Sequence, residues 1–320
     1  MVRLLARAGA RQVVLLDIAE QALFRIHAEM TAREHGDRCA PVLGSVCDRG
    51  LLRELFEEHR PELVLHAAAL KHVPLMELNP LAAMETNALG TWRLAQAAEA
   101  HGARALILVS TDKAVVPRSI MGAAKRIAEL AMLAPTGHGR MRCAAVRLAN
   151  VIGSPCSVGP LFHEQIASGG PVTVTHPEAK RFFLTLAEVT ALLAQAIDCD
   201  SADGVLIPDP VEPIRIAELA RRMIEASGRN VPITFTRLRP GDKLEESLIG
   251  PDERDAGPAT PGLRRLRSAT PPNLEARMGE LEAAIAARDL RAVLRATEEL
   301  APDYQPSAML RESLPEMAQP

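Results

Sequence analysis

The sequence predicts an α/β protein built on a doubly wound parallel sheet, and three observations predict it. Short apolar runs of strand length alternate with longer segments of helix length from the first residues to about 153. Hydrophobic residues make up 48% of the 320-residue chain and aromatic residues 2%, so the core volume lies in Leu, Ala, Val and Ile, a composition that suits parallel strands covered by helices. Polar clusters follow the apolar runs, where an open sheet of this kind carries its ligands.

The elements follow in order. "MVRLLARAGA" reads as the back half of a helix, with Gly9 as its C-cap. "QVVLLD" (12–17) is a buried strand ending in an acid, followed by a helix over 18–34. A strand over 39–46, a helix over 48–59 and a strand over 62–69 come next, then a helix over 80–102, a strand over 103–111 and, past Pro117, a helix over 121–133. "RCAAVRLANVIG" (142–153) closes the alternation. From about 154 the pattern is mixed: helix 161–170, strand 171–175, the apolar stretch 181–197, strand 204–209, helix 214–227 and strand 232–238. Residues 250–278, rich in Pro, Gly and Arg, read as a linker or extended arm, with helices over about 279–299 and a frayed tail.

Composition also excludes. A formal net charge of −3 offers no field to draw the chain to nucleic acid or an anionic membrane, and the scarcity of aromatics leaves no stacking platform. Five scattered cysteines, Cys39, Cys47, Cys143, Cys156 and Cys199, show no C-x-x-C spacing and suggest neither a disulfide framework nor a metal site. A reducing cytoplasm is expected, and no run of about 18 apolar residues predicts a membrane span.

The chemistry gathers at "STDKAVVPRSIMGAAKR" (110–126). Thr111, Asp112 and Lys113 end a buried strand, and Met121 and Lys125 share one face of the next helix. Taken alone, "STDK" reads first as a strand end with an Asx-type turn, and Lys125 as a solvated helix lysine, because such clusters are common loop chemistry. With "LHAAALKHVPLMELNPLAAMETNALGT" (65–91), "GPVTVTHPEAKRFFLT" (170–185) and "LRPGDKL" (238–244), however, the chain resembles the CapD-like polysaccharide-biosynthesis branch of the extended short-chain dehydrogenases/reductases. That branch contains the UDP-N-acetylglucosamine 4,6-dehydratases. The likeness covers roughly residues 3–300.

The resemblance implies a Rossmann-type dinucleotide-binding region over 1–153, a UDP-sugar-binding region over 154–250 and a C-terminal arm with helices over 251–320. It implies that Thr111 hydrogen-bonds the sugar O4, that Lys113 removes the C5 proton and Asp112 protonates the departing C6 hydroxyl, and that Lys125 holds the nicotinamide ribose. Asn87 matches the helix asparagine of the family tetrad. Met121 stands where most such enzymes keep a tyrosine, and the larger members of the branch also carry Met there; Asp112, Lys113 and Lys125 through a water are the candidates for taking the O4 proton. Asp17, Ser45, Val46, Ala67, Ala68, Ala69 and Lys71 line the expected cofactor path. Asp17 favours NAD over NADP, while Ser45 replaces the family's usual aspartate. A structural role is expected for His66 and His72. Asn150, Val172, Thr173, Arg181, Arg239 and Asp242 match nucleotide-contacting positions, and "SPCSV" (154–158) departs from the usual "SRGSV", as does Lys180 from the frequent Thr.

No G-x-x-G-x-x-G precedes Asp17. Aligned by motif, the chain is expected to lack the first strand and glycine-rich turn of the sheet, about 20 residues, and to hold the dinucleotide weakly or not at all. The expected function is a 4,6-dehydratase acting on a UDP-N-acetylhexosamine with NAD or NADP, as a homo-oligomer. The alternatives are a UDP-N-acetylhexosamine epimerase and a non-catalytic remnant or partner subunit.

Overall fold

A computed structural model describes residues 1–134, 141–154, 157–199, 203–209, 212–268 and 271–312. Pro155 and Cys156 of the expected substrate loop, and the tail beyond Glu312, lie outside the described residues. The chain opens with α1 (Val2–Arg7), β1 (Val13–Asp17), α2 (Glu20–Ala32), β2 (Cys39–Leu43), α3 (Arg49–His59) and β3 (Leu63–His66). Asp48 caps α3, its side chain accepting from the Leu51 amide. Two short helices, α4 (Val73–Leu78) and α5 (Pro80–Ala83), run into a π-helical turn over Met84–Leu89 and then α6 (Gly90–Ala100). The expected single helix over 80–102 thus carries a widened turn, which places Asn87 against the loop after β3.

β4 (Ala105–Thr111), α7 (Ile120–Leu133) and β5 (Arg142–Leu148) complete the central unit. The predicted strand 142–153 breaks at Ala149, and β6 (Asn150–Val151) leaves the main sheet. There follow α8 (Val158–Ala167), β7 (Val172–Val174), β8 (Lys180–Arg181), β9 (Phe183–Leu184) and α9 (Leu186–Asp198). A reciprocal capping box between Thr185 and Glu188 starts α9. Next come β10 (Gly204–Pro208), β11 (Ile214–Arg215), α10 (Ile216–Ser227) and β12 (Ile233–Phe235).

The stretch read as a linker or arm is instead a hairpin, β13 (Arg254–Thr260) and β14 (Leu263–Arg267), which joins the sheet antiparallel to β10. Gly262 at φ +90° makes its tight turn, and buried Leu263 and Leu266 anchor it. Composition hid this hairpin because Pro, Gly and Arg populate its exposed edge strand, where an edge tolerates them. Helices α11 (Leu274–Ala286), α12 (Leu290–Leu300) and α13 (Ala308–Glu312) follow.

The central sheet has six strands in the order β13-β14-β10-β5-β4-β3, with β3, β4, β5 and β10 parallel. One face is covered by α9; the other is covered by α3, α6 and α7, with α11 and α12 packed outside them. β1 and β2 pair in parallel as a sheet of their own, not hydrogen-bonded to β3. Among the described residues no strand other than β2 pairs with β1, and none other than β4 with β3. The smaller region holds a separate core, in which α8 and α10 pack on β7 and β12.

A carboxylate–lysine site at the sheet's carboxyl edge

At the end of β4 the chain makes one 3-10 turn, Asp112–Ala114, with Thr111 as its cap. The Thr111 hydroxyl donates to Asp112 Oδ1 at 2.9 Å and accepts from the Lys113 amide at 3.4 Å. Lys113 Nζ donates to the same Asp112 oxygen at 3.0 Å and lies 3.5 Å from Asn150 Oδ1 on β6. Asp112 is wholly buried, and its Oδ2 has no hydrogen-bond partner among the described residues. An unpartnered buried carboxylate oxygen is costly; here it borders the strand-end loops that an α/β sheet uses for ligands.

The first turn of α7 closes over this pair. Ser119 caps the helix, accepting from the Gly122 amide at 3.1 Å. A Cβ on Gly122 would sit 2.3 Å from the Lys113 carbonyl, so only glycine lets the helix approach the turn this closely. Val116 between them is held at φ +40°, a strained setting for a β-branched residue. Further along, Lys125 is buried and donates to the Val109 carbonyl at 2.8 Å. Burial pulls its ammonium down to about 8, against the pull of Glu129. Met121 is 4% exposed and packs into the apolar core behind the helix.

Asn87 braces the loop after β3 with both ends of its amide: Oδ1 accepts from Leu70 N–H at 2.8 Å and Nδ2 donates to Leu70 C=O at 2.9 Å. Ala67, Ala68, Ala69 and Lys71 remain exposed on that loop. His66 is buried against Thr91 at 2.9 Å, and burial, aided by Lys125, holds its imidazole down at about 3 and therefore neutral, a structural role. Asp17 is exposed at the end of β1, its Oδ1 accepting from the Ala19 amide; Ser45 Oγ accepts from the Cys47 amide and Val46 is buried beside it. These groups suit the two ends of a dinucleotide: small exposed residues admit its backbone, and a buried lysine offers a donor. The sequence contains no glycine-rich turn for the pyrophosphate.

The expected nucleotide contacts divide into two groups. Arg239 is exposed and pairs with Asp242 at 2.8 Å, on a loop whose Gly241 lies directly on Ser119. Arg181, by contrast, donates to the carbonyls of Lys180, Lys243 and Leu244, so its guanidinium ties β8 to the 239–246 segment. Thr173 exchanges two hydrogen bonds with the Gln165 side chain. Val172 is wholly buried, with its N–H on the Pro232 carbonyl.

Sequence reasoning missed Glu246, whose side chain is 2% exposed and whose Oε1 lies 3.5 Å from Lys113 Nζ. Burial would lower the Lys113 ammonium, but the carboxylates of Asp112 and Glu246 outweigh it and hold it above the ordinary lysine value, against Arg181. Glu129 was missed as well. It accepts from Ser110 Oγ at 2.6 Å and from Arg147 Nε and Nη2, and Arg147 also reaches Glu253 at 2.5 Å. Its spacing of four from Lys125 was a legible signal; nothing local marked Glu246. Among the described residues no cluster of His, Cys, Asp and Glu is placed to hold a metal, and no helix is long and apolar enough to cross a membrane.

Comparison with known proteins agrees with the resemblance. A family model described as polysaccharide biosynthesis protein matches residues 1–266, and the chain belongs to that family. It is 40% identical over 257 residues to the capsular polysaccharide biosynthesis protein CapD of Staphylococcus aureus, an alignment covering 78% of this chain and 43% of that protein. The chain thus spans about two-fifths of the length of CapD and of the probable polysaccharide biosynthesis protein EpsC of Bacillus subtilis. Among solved structures it is similar to Pen from Bacillus thuringiensis, at TM-score 0.70 and 28% identity over 76% of this chain and 77% of that one. The dTDP-glucose 4,6-dehydratase DesIV from Streptomyces venezuelae, solved with NAD bound, shares the fold at TM-score 0.67 and 22% identity, over 78% of this chain and 83% of that one.

Proposed function

We propose that the chain is a nucleotide-sugar 4,6-dehydratase acting on a UDP-N-acetylhexosamine with a nicotinamide dinucleotide. The observation that carries this reading is the buried Asp112–Lys113 pair at the sheet's carboxyl edge, with one carboxylate oxygen left unpartnered. A dehydratase needs a base for the C5 proton and an acid for the C6 hydroxyl side by side, and a proton passing along the 3.0 Å contact from Lys113 to Asp112 creates both.

A bound nicotinamide supplies the reversible oxidation at C4 that makes the C5 proton removable. Lys125 would hold its ribose, the Ala67–Ala69 loop would let its backbone approach closely, and Asn87 fixes that loop. Thr111 orients the sugar O4. Lys113 then takes the C5 proton on Nζ, and Asp112 gives its proton to the C6 oxygen, which leaves as water while C5 and C6 become doubly bonded; return of the proton from Lys113 to C5, with the hydride that the bound cofactor would give back to C6, leaves a 4-keto-6-deoxy sugar and a net loss of one water. Arg239 meets the diphosphate by opening from Asp242, because it is the exposed guanidinium of the two; Arg181 holds the loop in place. The same pair favours dehydration over epimerisation, which requires no acid at C6.

The test is incubation of the 320-residue chain with UDP-N-acetylglucosamine and NAD⁺ or NADP⁺, following loss of one water by mass spectrometry. Asp112→Asn and Lys113→Met are each expected to lower turnover by about 10²-fold or more. Turnover unchanged in both variants would refute these roles; absence of product from the parent chain under every cofactor condition would favour a non-catalytic sugar-nucleotide binder.

A further inference from the structure

The turn that carries Asp112 and Lys113 is met from across the site by the segment after Arg239. Lys243 reaches the Val115 carbonyl at 2.5 Å, and Glu246 is carried in behind it. Glu246 Oε1 lies 3.5 Å from Lys113 Nζ and 3.9 Å from Arg181 Nε, and its Oε2 lies 3.3 Å from Lys243 Nζ. That second oxygen is buried without a hydrogen bond of good geometry. The charged groups facing Lys113 therefore come from three elements: Asp112 from its own turn, Glu246 and Lys243 from the loop, and Arg181 from β8. Asn150 Oδ1 on β6 completes the shell.

We propose that Glu246 is a positioning residue of this site: it holds Lys113 as an ammonium against Asp112 and so sets the pH range in which the pair carries one shared proton. The inference rests on the dehydratase reading for its catalytic consequence, though not for the coupling itself. The argument is electrostatic. The active pair must hold a single mobile proton, on Lys113 at rest and on Asp112 when Lys113 acts as base. A second proton on the pair removes the base, and loss of the last one removes the acid. A buried negative charge 3.5 Å from Nζ favours retention of the proton. Replacing Glu246 by a neutral group of the same shape lets the pair lose it at lower pH, so the alkaline limb of activity moves down.

The experiment has two readouts on Glu246→Gln. The alkaline limb of the kcat/KM profile for UDP-N-acetylglucosamine dehydration is expected to fall by about one pH unit or more. Competitive acetylation of Lys113 with acetic anhydride, read by mass spectrometry across pH without substrate or cofactor, is expected to show a matching shift, with roughly tenfold faster labelling at pH 8. Lys243→Met removes a facing cation and is expected to shift labelling the opposite way; it serves if the Gln variant fails to fold. A shifted labelling curve in a chain without turnover would keep the Glu246–Lys113 coupling and sink the dehydratase reading. A folded Gln variant with both curves unmoved, or a Met variant with labelling unmoved where only that variant folds, overturns the proposal.

Discussion

Met121 shows how a single residue separates packing from chemistry. The resemblance sets it where a tyrosine is expected to move a proton, yet its side chain lies in the cluster joining α7 to the 80–89 segment, α11 and α12. A thioether has no proton to exchange, so its contribution is volume. Met121→Leu conserves that volume and is expected to leave turnover within about twofold and stability within about 1.5 kcal/mol. Met121→Ala opens a cavity and is expected to cost about 2–5 kcal/mol in urea denaturation. A large loss of turnover in a stable Leu variant would show that the sulfur acts on the substrate. That Thr111, Asp112 and Lys113 lie together was legible because they follow one another at a strand end; alone they read as a turn, and Lys125 as a solvated helix lysine, until the resemblance singled them out. Glu246 was not legible, because it meets Lys113 only through the folding of a distant loop, and a glutamate in "KLEES" reads as solvated.

At the scale of elements, one buried ion network fastens the site to the sheet. Arg147 on β5 is fully buried between Glu129 on α7 and Glu253 in the loop before β13, and Arg126 reaches both carboxylates from the rim. Glu129 in turn holds Ser110, the residue before Thr111. Arg147→Met leaves two carboxylates buried without their main counter-charge and is expected to destabilise the chain by about 3–5 kcal/mol in urea denaturation. Burial alone would raise the Glu129 and Glu253 carboxyls, but Arg147 holds both below the ordinary value. A depressed folded-state value means that the stabilisation is present above the unfolded carboxylate value, near 4.5, and is lost as pH falls through the lower folded one. The parent chain is therefore expected to lose stability below about pH 4.5, and the Arg147→Met variant to lose less of it. An identical acid dependence in both would show that the network contributes nothing to the pH response. The alternation of strands and helices up to β5 was legible because each carries its own apolar period. The β13–β14 hairpin was not, since only its partner β10 distinguishes an exposed Pro- and Gly-bearing edge from a linker.

For the molecule as a whole, the separation of the β1–β2 pair from the six-stranded sheet sets where it opens most easily. The centre of β4 is wholly buried at Leu106, Ile107 and Leu108, with a neighbour strand on each side. β1 is only half-buried along Val13–Leu16, has β2 as its sole partner among the described residues, and packs on a small cluster around Ala6, Met30 and Cys39. A two-stranded pair on so small a core is marginal by itself. Amides of Val13–Asp17 are expected to exchange with deuterium at least about tenfold faster than those of Ala105–Thr111. Asp17 belongs to the small sheet and Ala67–Ala69 follow the edge strand of the large one, so a dinucleotide touching both would tie the sheets together. Its binding free energy then adds to the cost of opening β1, by RT ln(1 + [L]/Kd). Exchange at Val13–Asp17 is expected to slow by about 10²-fold when NAD⁺ is added at about a hundred times its dissociation constant. Slowing confined to the loop after β3, with β1 unchanged, would mean that the cofactor is held at its nicotinamide end alone.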